Sequence, residues 1–227
     1  MNFLLHHHLA FRDLGRHDAA AGAMLPDVWR MAGRRTRARA APEHAVGAVR
    51  PVDEGIAHHL EVDAWFHAAP VFTRGERAAR EALRRARGVA KLGLFAHIAW
   101  ELCLDGALLR RIGFEAVVEA VRVSVEAVRP DAHHRAAVLH AGPRATETLA
   151  MRQRFEDRVD QILDAIARGP WIAGYATGHG IAERLEGVRM RLGFPEMADA
   201  DRDAIAVGLD ALRDEADGAL AEILSAG

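Results

Sequence analysis

The stretch from Leu92 to Leu109 constrains this chain more than any other. It reads Leu-Gly-Leu-Phe-Ala-His-Ile-Ala-Trp-Glu-Leu-Cys-Leu-Asp-Gly-Ala-Leu-Leu, and its only acidic or basic side chains are His97, Glu101 and Asp105. At 3.6 residues per turn, positions i, i+4 and i+8 fall within about 80° of arc. A helix that is apolar nearly all round is normally buried. A carboxylate buried with it must be neutralised, hydrogen-bonded or bound to a cation, because an unpaired buried charge is strongly destabilising.

A second stripe runs through Val52–His67. His59, Asp63 and His67 recur every four residues, interleaved with Ile56 and Leu60 on one side of a helix. Two helices that each carry a His/acid stripe can meet across a core and offer four to six nitrogen and oxygen ligands. Imidazole with carboxylate suits Zn, Mn or Fe, and one Cys in 227 residues leaves no thiolate-rich site. Each stripe also has a plainer reading. A His–Asp pair at i,i+4 can be a surface pair worth about 0.2–0.5 kcal/mol, and a single His on an apolar face is often a hydrogen-bonded core residue. Two such stripes in one small domain favour a polar, metal-binding site.

Around these stripes the sequence reads as all-α, a single compact multi-helix domain spanning 1–227. Alanine is abundant, alternating β-branched runs are few, and 3.6-residue periodicity persists over long stretches. Helices are expected near 2–12, 18–31, 52–68, 71–87, 91–111, 114–128, 145–168, 171–192 and 198–224. Gly and Pro punctuate many of the gaps. The 32–50 stretch, with Arg34, Arg35, Arg37 and Arg39, reads as a mobile loop able to meet phosphate or an acidic partner.

Composition removes several function classes. Thirty basic against 32 acidic residues gives a net charge of −2, which disfavours a general nucleic-acid binder. The apolar stretches are interrupted by charge, so no membrane span is expected, and the N-terminus lacks a basic secretory leader; a cytoplasmic protein is the expectation. Ser124 and Ser225 are the only serines and neither sits in a nucleophile elbow; Lys91 is the only lysine, and no Walker A loop exists. Among the 13 histidines, His6, His7 and His8 are consecutive, and since neighbours on a helix point about 100° apart, one or two of them can face a common site. His133, His134, His140 and His179 are read as surface or packing residues without acid partners at helical spacing, and His17-Asp18 is discounted. Asp27 follows Pro26, a favourable first helical residue, so it is either a helix-start carboxylate or a ligand.

Several segments together resemble the acyl carrier protein phosphodiesterase family, a divergent branch of the HD-type metal-dependent phosphohydrolases. The opening Met1-Asn2-Phe3-Leu4-Leu5-His6-His7-His8-Leu9-Ala10 is similar to that family's MNFLAHLHLA start. Gly22-Ala23-Met24-Leu25-Pro26-Asp27-Val28 resembles its GNLLADF segment, and Gly55-Ile56-Ala57-His58-His59-Leu60-Glu61-Val62-Asp63 its G-I-x-x-H-R-x-I-D stretch. Ala96-His97-Ile98-Ala99-Trp100-Glu101 stands where the family has D-x-x-W-D, and Trp171–Tyr175 is similar to its W-x-x-x-Y pattern. The chain departs from the family at His67, His97 and Glu101, where the family has Asp, and at Leu60 and Leu102, where it has Arg and His.

The resemblance implies an HD-like helical core and a metal-dependent phosphodiesterase. His59, Asp63, His97 and Glu101, with Asp27 and His6, would hold one or two divalent cations (Mn, Fe or Zn). His8 or His67 would protonate the leaving alkoxide, a task suited to a near-neutral pKa, and Asp105 would orient a ligand imidazole. The implied substrate is a 4′-phosphopantetheine phosphodiester on acyl carrier protein, or another small phosphodiester. Two other classes stand beside this expectation. A di-iron oxygen-activating bundle would normally show Glu-x-x-His pairs, and none occurs. In a non-catalytic protein, the stripes would be a buried polar network or a structural metal site.

Overall fold

The spacing of apolar residues produces helices almost throughout. The computed structural model describes residues 3–33, 36–39, 50–86, 88–128, 136, 137, 140 and 148–225, and contains eleven α-helices and no strand among them. The helices are α1 (Phe3–Leu14), α2 (His17–Ala32), α3 (Pro51–Ala68), α4 (Pro70–Leu83), α5 (Ala96–Ile112), α6 (Phe114–Ala127), α7 (Leu149–Ala167), α8 (Pro170–Ala173), α9 (Gly178–Arg191), α10 (Asp199–Asp210) and α11 (Arg213–Ser225). Most of the 32–50 stretch, Arg34 and Arg35 included, and His133 and His134 lie outside the described residues.

The expected 71–87 helix ends at Leu83, and three others are divided or begin differently. The 171–192 segment breaks at a 3₁₀ turn over Gly174–Ala176, and Thr177 then caps α9 by accepting a hydrogen bond from the Gly180 amide at 3.1 Å. The 198–224 segment divides into α10 and α11. The apolar 91–111 segment opens with a 3₁₀ turn, Leu92–Phe95, behind Lys91, whose φ of 60° is left-handed and incompatible with a continuing α-helix. Together that turn and α5 are long and apolar enough to cross a bilayer by length and composition, contrary to the sequence expectation, because Leu92–Leu109 holds only two carboxylates, Glu101 and Asp105, among its apolar residues. Yet 78% of the apolar window is buried inside the protein, as befits a core helix.

The chain forms two compact units. One takes in Phe3–Trp65 and Glu115–Trp171. Here α1 pairs with α2, and α2 packs on α7. α2 and α3 touch backbone to backbone: a Cβ at Gly55 would lie 1.9 Å from the Ala19 carbonyl oxygen, and one at Gly22 would lie 2.3 Å from that of Val52. Only glycine permits so close a crossing. The other unit takes in Phe66–Phe114 and the chain from Ile172 onward. In it α5 is the central helix, contacted by α4, α9 and α11, while α10 packs on α9 and α4. Gly75 of α4 is pressed against Trp100 of α5, where a Cβ would sit 1.9 Å from the indole ring.

Candidate metal centres

Within the first unit, three helices converge on a buried group. α1 supplies His6, α2 Asp27 and α3 His59, with one ligand atom from each lying within 4.8 Å of the others. All three are buried, at 1, 4 and 5% exposure. The His6 and His59 rings lie 3.8 Å apart between centroids. His59 Nδ1 donates to the Ala23 carbonyl at 2.8 Å. That bond places the proton on Nδ1 and leaves Nε2 with its lone pair, the tautomer a metal-ligating imidazole needs. Burial also pushes the His59 pKa down, opposed by the Asp27 and Asp63 carboxylates. Asp63, one turn beyond His59, comes to 3.8 Å from His6 Nε2 with its side chain 38% exposed. The helix-start reading of Asp27 is corrected here: α2 begins at His17, Pro26 lies inside it, and Asp27 joins His6 and His59 rather than capping a terminus.

The second group lies in the other unit. The last turn of α3 brings His67 to α5, where His67 Nε2 is 3.4 Å and His97 Nε2 3.2 Å from Glu101 Oε1. Ligand atoms of these three also lie within 4.8 Å of one another. The Glu101 side chain is 5% exposed, against 30% for His67 and 38% for His97. α4 contributes Glu76, whose Oε2 lies 3.5 Å from His97 Nδ1 while its Oε1 accepts from Arg80 at 2.6 Å. A carboxylate on the far nitrogen of a ligand imidazole is the usual arrangement for fixing its orientation. Hydrogen bonding to Glu101 raises the His97 pKa against the opposing effect of burial. Burial alone would raise the Glu101 carboxyl; surrounding positive charge and hydrogen bonds from His67 and His97 outweigh it and hold the group well below the usual range.

This second group opens on solvent. A cavity of about 460 Å³ is lined by His67, Phe72, Thr73, Glu76, Arg77, Arg80 and His97. Phe72 forms its aromatic side, edge-on to His97 with centroids 4.9 Å apart. The expected pairing of stripes is therefore redistributed: α3 gives His59 and Asp63 to one group and His67 to the other, and only His67 joins His97 and Glu101.

Of the remaining candidates, Asp105 is fully buried one turn beyond Glu101 and outside both ligand groups. His8 is half-buried on α1 and also outside them. His7 points elsewhere than His6. Its Nε2 accepts from the buried Ser124 hydroxyl at 2.8 Å, and that oxygen accepts from His17 Nδ1 at 3.0 Å. Burial, then the charges of His8 and His17, push the His7 pKa down to about 4. Sequence spacing missed this chain of bonds because Ser124 is 117 residues from His7. Two other histidines set aside on sequence have acid partners. His140 lies 3.1 Å from Asp53, far away in sequence, and exposed His179 is 3.5 Å from Glu183, an i,i+4 pair that spacing alone reveals. Glu76 carried no sequence signal, since nothing in α4 marks one acid of an exposed helix over another.

Comparison with known proteins bears on residues 1–103, which match the family model described as acyl carrier protein phosphodiesterase. The matched stretch is a little under half of the chain, yet it holds every residue of both groups, Asp63 and Glu76. Neither the curated proteins nor the solved structures gave a match.

Proposed function

We propose that this protein, whose first 103 residues match the acyl carrier protein phosphodiesterase family, is a metal-dependent phosphodiesterase. Its substrate in this reading is the 4′-phosphopantetheine phosphodiester of a holo acyl carrier protein. The observation that carries the reading is the open group: two imidazoles and a carboxylate, gathered within ligand distance at the wall of a cavity and inside the matched stretch. Pockets of roughly 300–1,000 Å³ are the ordinary size for small-molecule sites.

The donor set suits Mn, Fe or Zn. His97 and Glu101 would be ligands in the open group, and His6, Asp27, His59 and Asp63 would hold an ion in the buried one, so one or two ions are accommodated. A bound divalent cation supplies an acidified water and offsets charge on the phosphoryl oxygens. The chain's own part begins with Glu76, which accepts from His97 Nδ1 and so aims Nε2 at Glu101. Arg80 in turn holds Glu76 in place. His67 lines the cavity and is the imidazole positioned to protonate the departing alkoxide; His8, outside both groups, is the weaker candidate. A cytoplasmic setting belongs to the same reading.

The buried group favours a second role for its own ion. Three ligands at 1–5% exposure resemble a closed structural site more than a catalytic one, which keeps a position open. The test of the whole reading is to incubate holo acyl carrier protein with this protein and Mn²⁺ and follow the carrier's mass. Loss of the phosphopantetheine mass is expected. An unchanged carrier mass, with added Mn²⁺ and Zn²⁺ leaving thermal stability where it was, rejects it.

A further inference from the structure

The cavity beside the open group has a second wall that the metal chemistry does not use. Thr73, Glu76, Arg77 and Arg80 lie at i, i+3, i+4 and i+7 of α4, and so share one helical face. That face is locked in place from behind. Gly75 sits flush on the Trp100 indole, and Val71, Phe72, Ala79, Ala82 and Leu83 are buried, so α4 cannot rotate without opening the core. The two arginines on the exposed face differ. Arg80 is held by Glu76 at 2.6 Å, whereas Arg77 makes no ion pair or hydrogen bond among the described residues, although it lines the cavity. Other arginines of the helix and its end are engaged: Arg74 with Glu222 at 2.8 Å, and Arg84 with Glu81 at 2.9 Å.

A guanidinium left unpaired in a concave site, with a threonine hydroxyl one turn before it and two imidazoles opposite, has the donors that a phosphoryl group's oxygens require. Arginine's planar fork matches phosphate in a bidentate manner. We propose that Arg77, assisted by Thr73, is the phosphate-recognition residue of this cavity and takes the non-bridging oxygens of a phosphate ester. The proposal rests on the phosphodiesterase reading for the identity of the ester, but its geometry belongs to α4 and the cavity alone. Glu76 sharpens the selectivity. It pairs with Arg80 and leaves Arg77 as the lining arginine without an ion pair among the described residues, so the wall fits the single compact charge of a phosphodiester rather than an extended acidic surface.

The test uses the full chain and inorganic phosphate as the probe, with binding read by calorimetry and kinetics read on holo acyl carrier protein. Arg77→Gln is expected to weaken phosphate binding by about tenfold or more and to raise KM for the carrier, with the melting temperature unchanged because the side chain is exposed. Arg77→Lys should recover part of the loss, since it keeps the charge and forfeits the fork. Arg74→Gln, on the same helix but outside the cavity, should leave binding within about twofold of the parent. The proposal is overturned if Arg77→Gln binds phosphate as the parent does, or if Arg74→Gln loses as much as Arg77→Gln does. The two readings separate cleanly. Phosphate binding that depends on Arg77 in a protein that never cleaves holo carrier sustains the pocket and rejects the phosphodiesterase. Carrier cleavage that ignores Arg77→Gln does the reverse.

Discussion

The two histidine–carboxylate groups use the same chemistry in opposite surroundings. His6, Asp27 and His59 are sealed between α1, α2 and α3, where Gly22 and Gly55 bring two backbones into contact. His67, His97 and Glu101 sit at the wall of a cavity, with the carboxylate buried and both imidazoles part-exposed. The difference lies in what each group is backed by. In the sealed group a main-chain carbonyl, that of Ala23, fixes the His59 tautomer, so its geometry is tied to the helix crossing. In the open group a side-chain carboxylate, Glu76, meets His97 and is itself held by an arginine. A ligand oriented by the backbone changes only when the fold changes. A ligand oriented by a side chain on an exposed helix face can be altered while the fold stays, and that is where reactivity can be tuned.

The contrast is open to direct attack. Glu101→Gln should have the largest effect on function: turnover of holo carrier falls by about 10³-fold, roughly 4 kcal/mol on the barrier, since a ligand and its charge are lost at the open group. Metal binding at the sealed group, followed by elemental analysis, should persist. If Glu101→Gln keeps its turnover, the open group is not the reaction site.

Gly55→Ala attacks the sealed group. A Cβ that would sit 1.9 Å from the Ala19 carbonyl oxygen forces the α2–α3 crossing apart, at a cost of about 3 kcal/mol, because backbone rather than a flexible side chain must yield. Urea denaturation measures this directly. A midpoint unchanged from the parent would mean that the crossing is looser than described.

Acid should strain the sealed unit next. The His7 pKa lies at about 4 when folded, against 6.5 for an ordinary histidine. The unfolded chain therefore binds the extra proton first. The stability that depends on neutral His7 is complete above pH 6.5 and is lost as pH falls toward 4, by up to about 3 kcal/mol. His7→Gln should flatten that part of the curve of melting temperature against pH; an unaltered slope refutes the assignment.

Glu76→Gln should act more mildly. It removes the charged partner of His97, and metal affinity at the open group should drop by about tenfold while unfolding free energy moves little. Equal losses in metal affinity and in stability would make Glu76 a structural residue instead. His179→Ala lies at the far end of the scale. An exposed i,i+4 pair with Glu183 contributes no more than about 0.5 kcal/mol, so neither activity nor melting temperature should move measurably.

Much of this was legible in the sequence, and the exceptions have identifiable causes. The helices at 52–68 and 114–128 fall within one residue of α3 and α6, because their apolar spacing and flanking Pro or Gly act locally. The break at Gly174–Thr177 is not visible in the 3.6-residue periodicity, which continues across it; a 3₁₀ turn and a capping threonine that starts α9, not a change of pattern, divide the segment. All of the candidate ligands except Asp63 fall in one of the two groups, with Asp63 at the edge of the first. Ser124 and Glu76 were invisible for the opposite reason: each acquires its role from a partner on another helix.

The sequence by itself determined that two helices carry ionisable stripes on apolar faces, and that those stripes offer nitrogen and oxygen donor atoms. Helical period and hydropathy suffice for that, because both are properties of consecutive residues. Tertiary structure alone decided how the stripes were shared out. It sent His59 and Asp63 one way and His67 the other, sealed one group and opened the other on a cavity, and left Arg77 beside it with no ion pair among the described residues. Those outcomes depend on which helix faces touch, and at Gly22, Gly55 and Gly75 that is settled by how closely two surfaces can approach, a quantity no single segment of the chain contains.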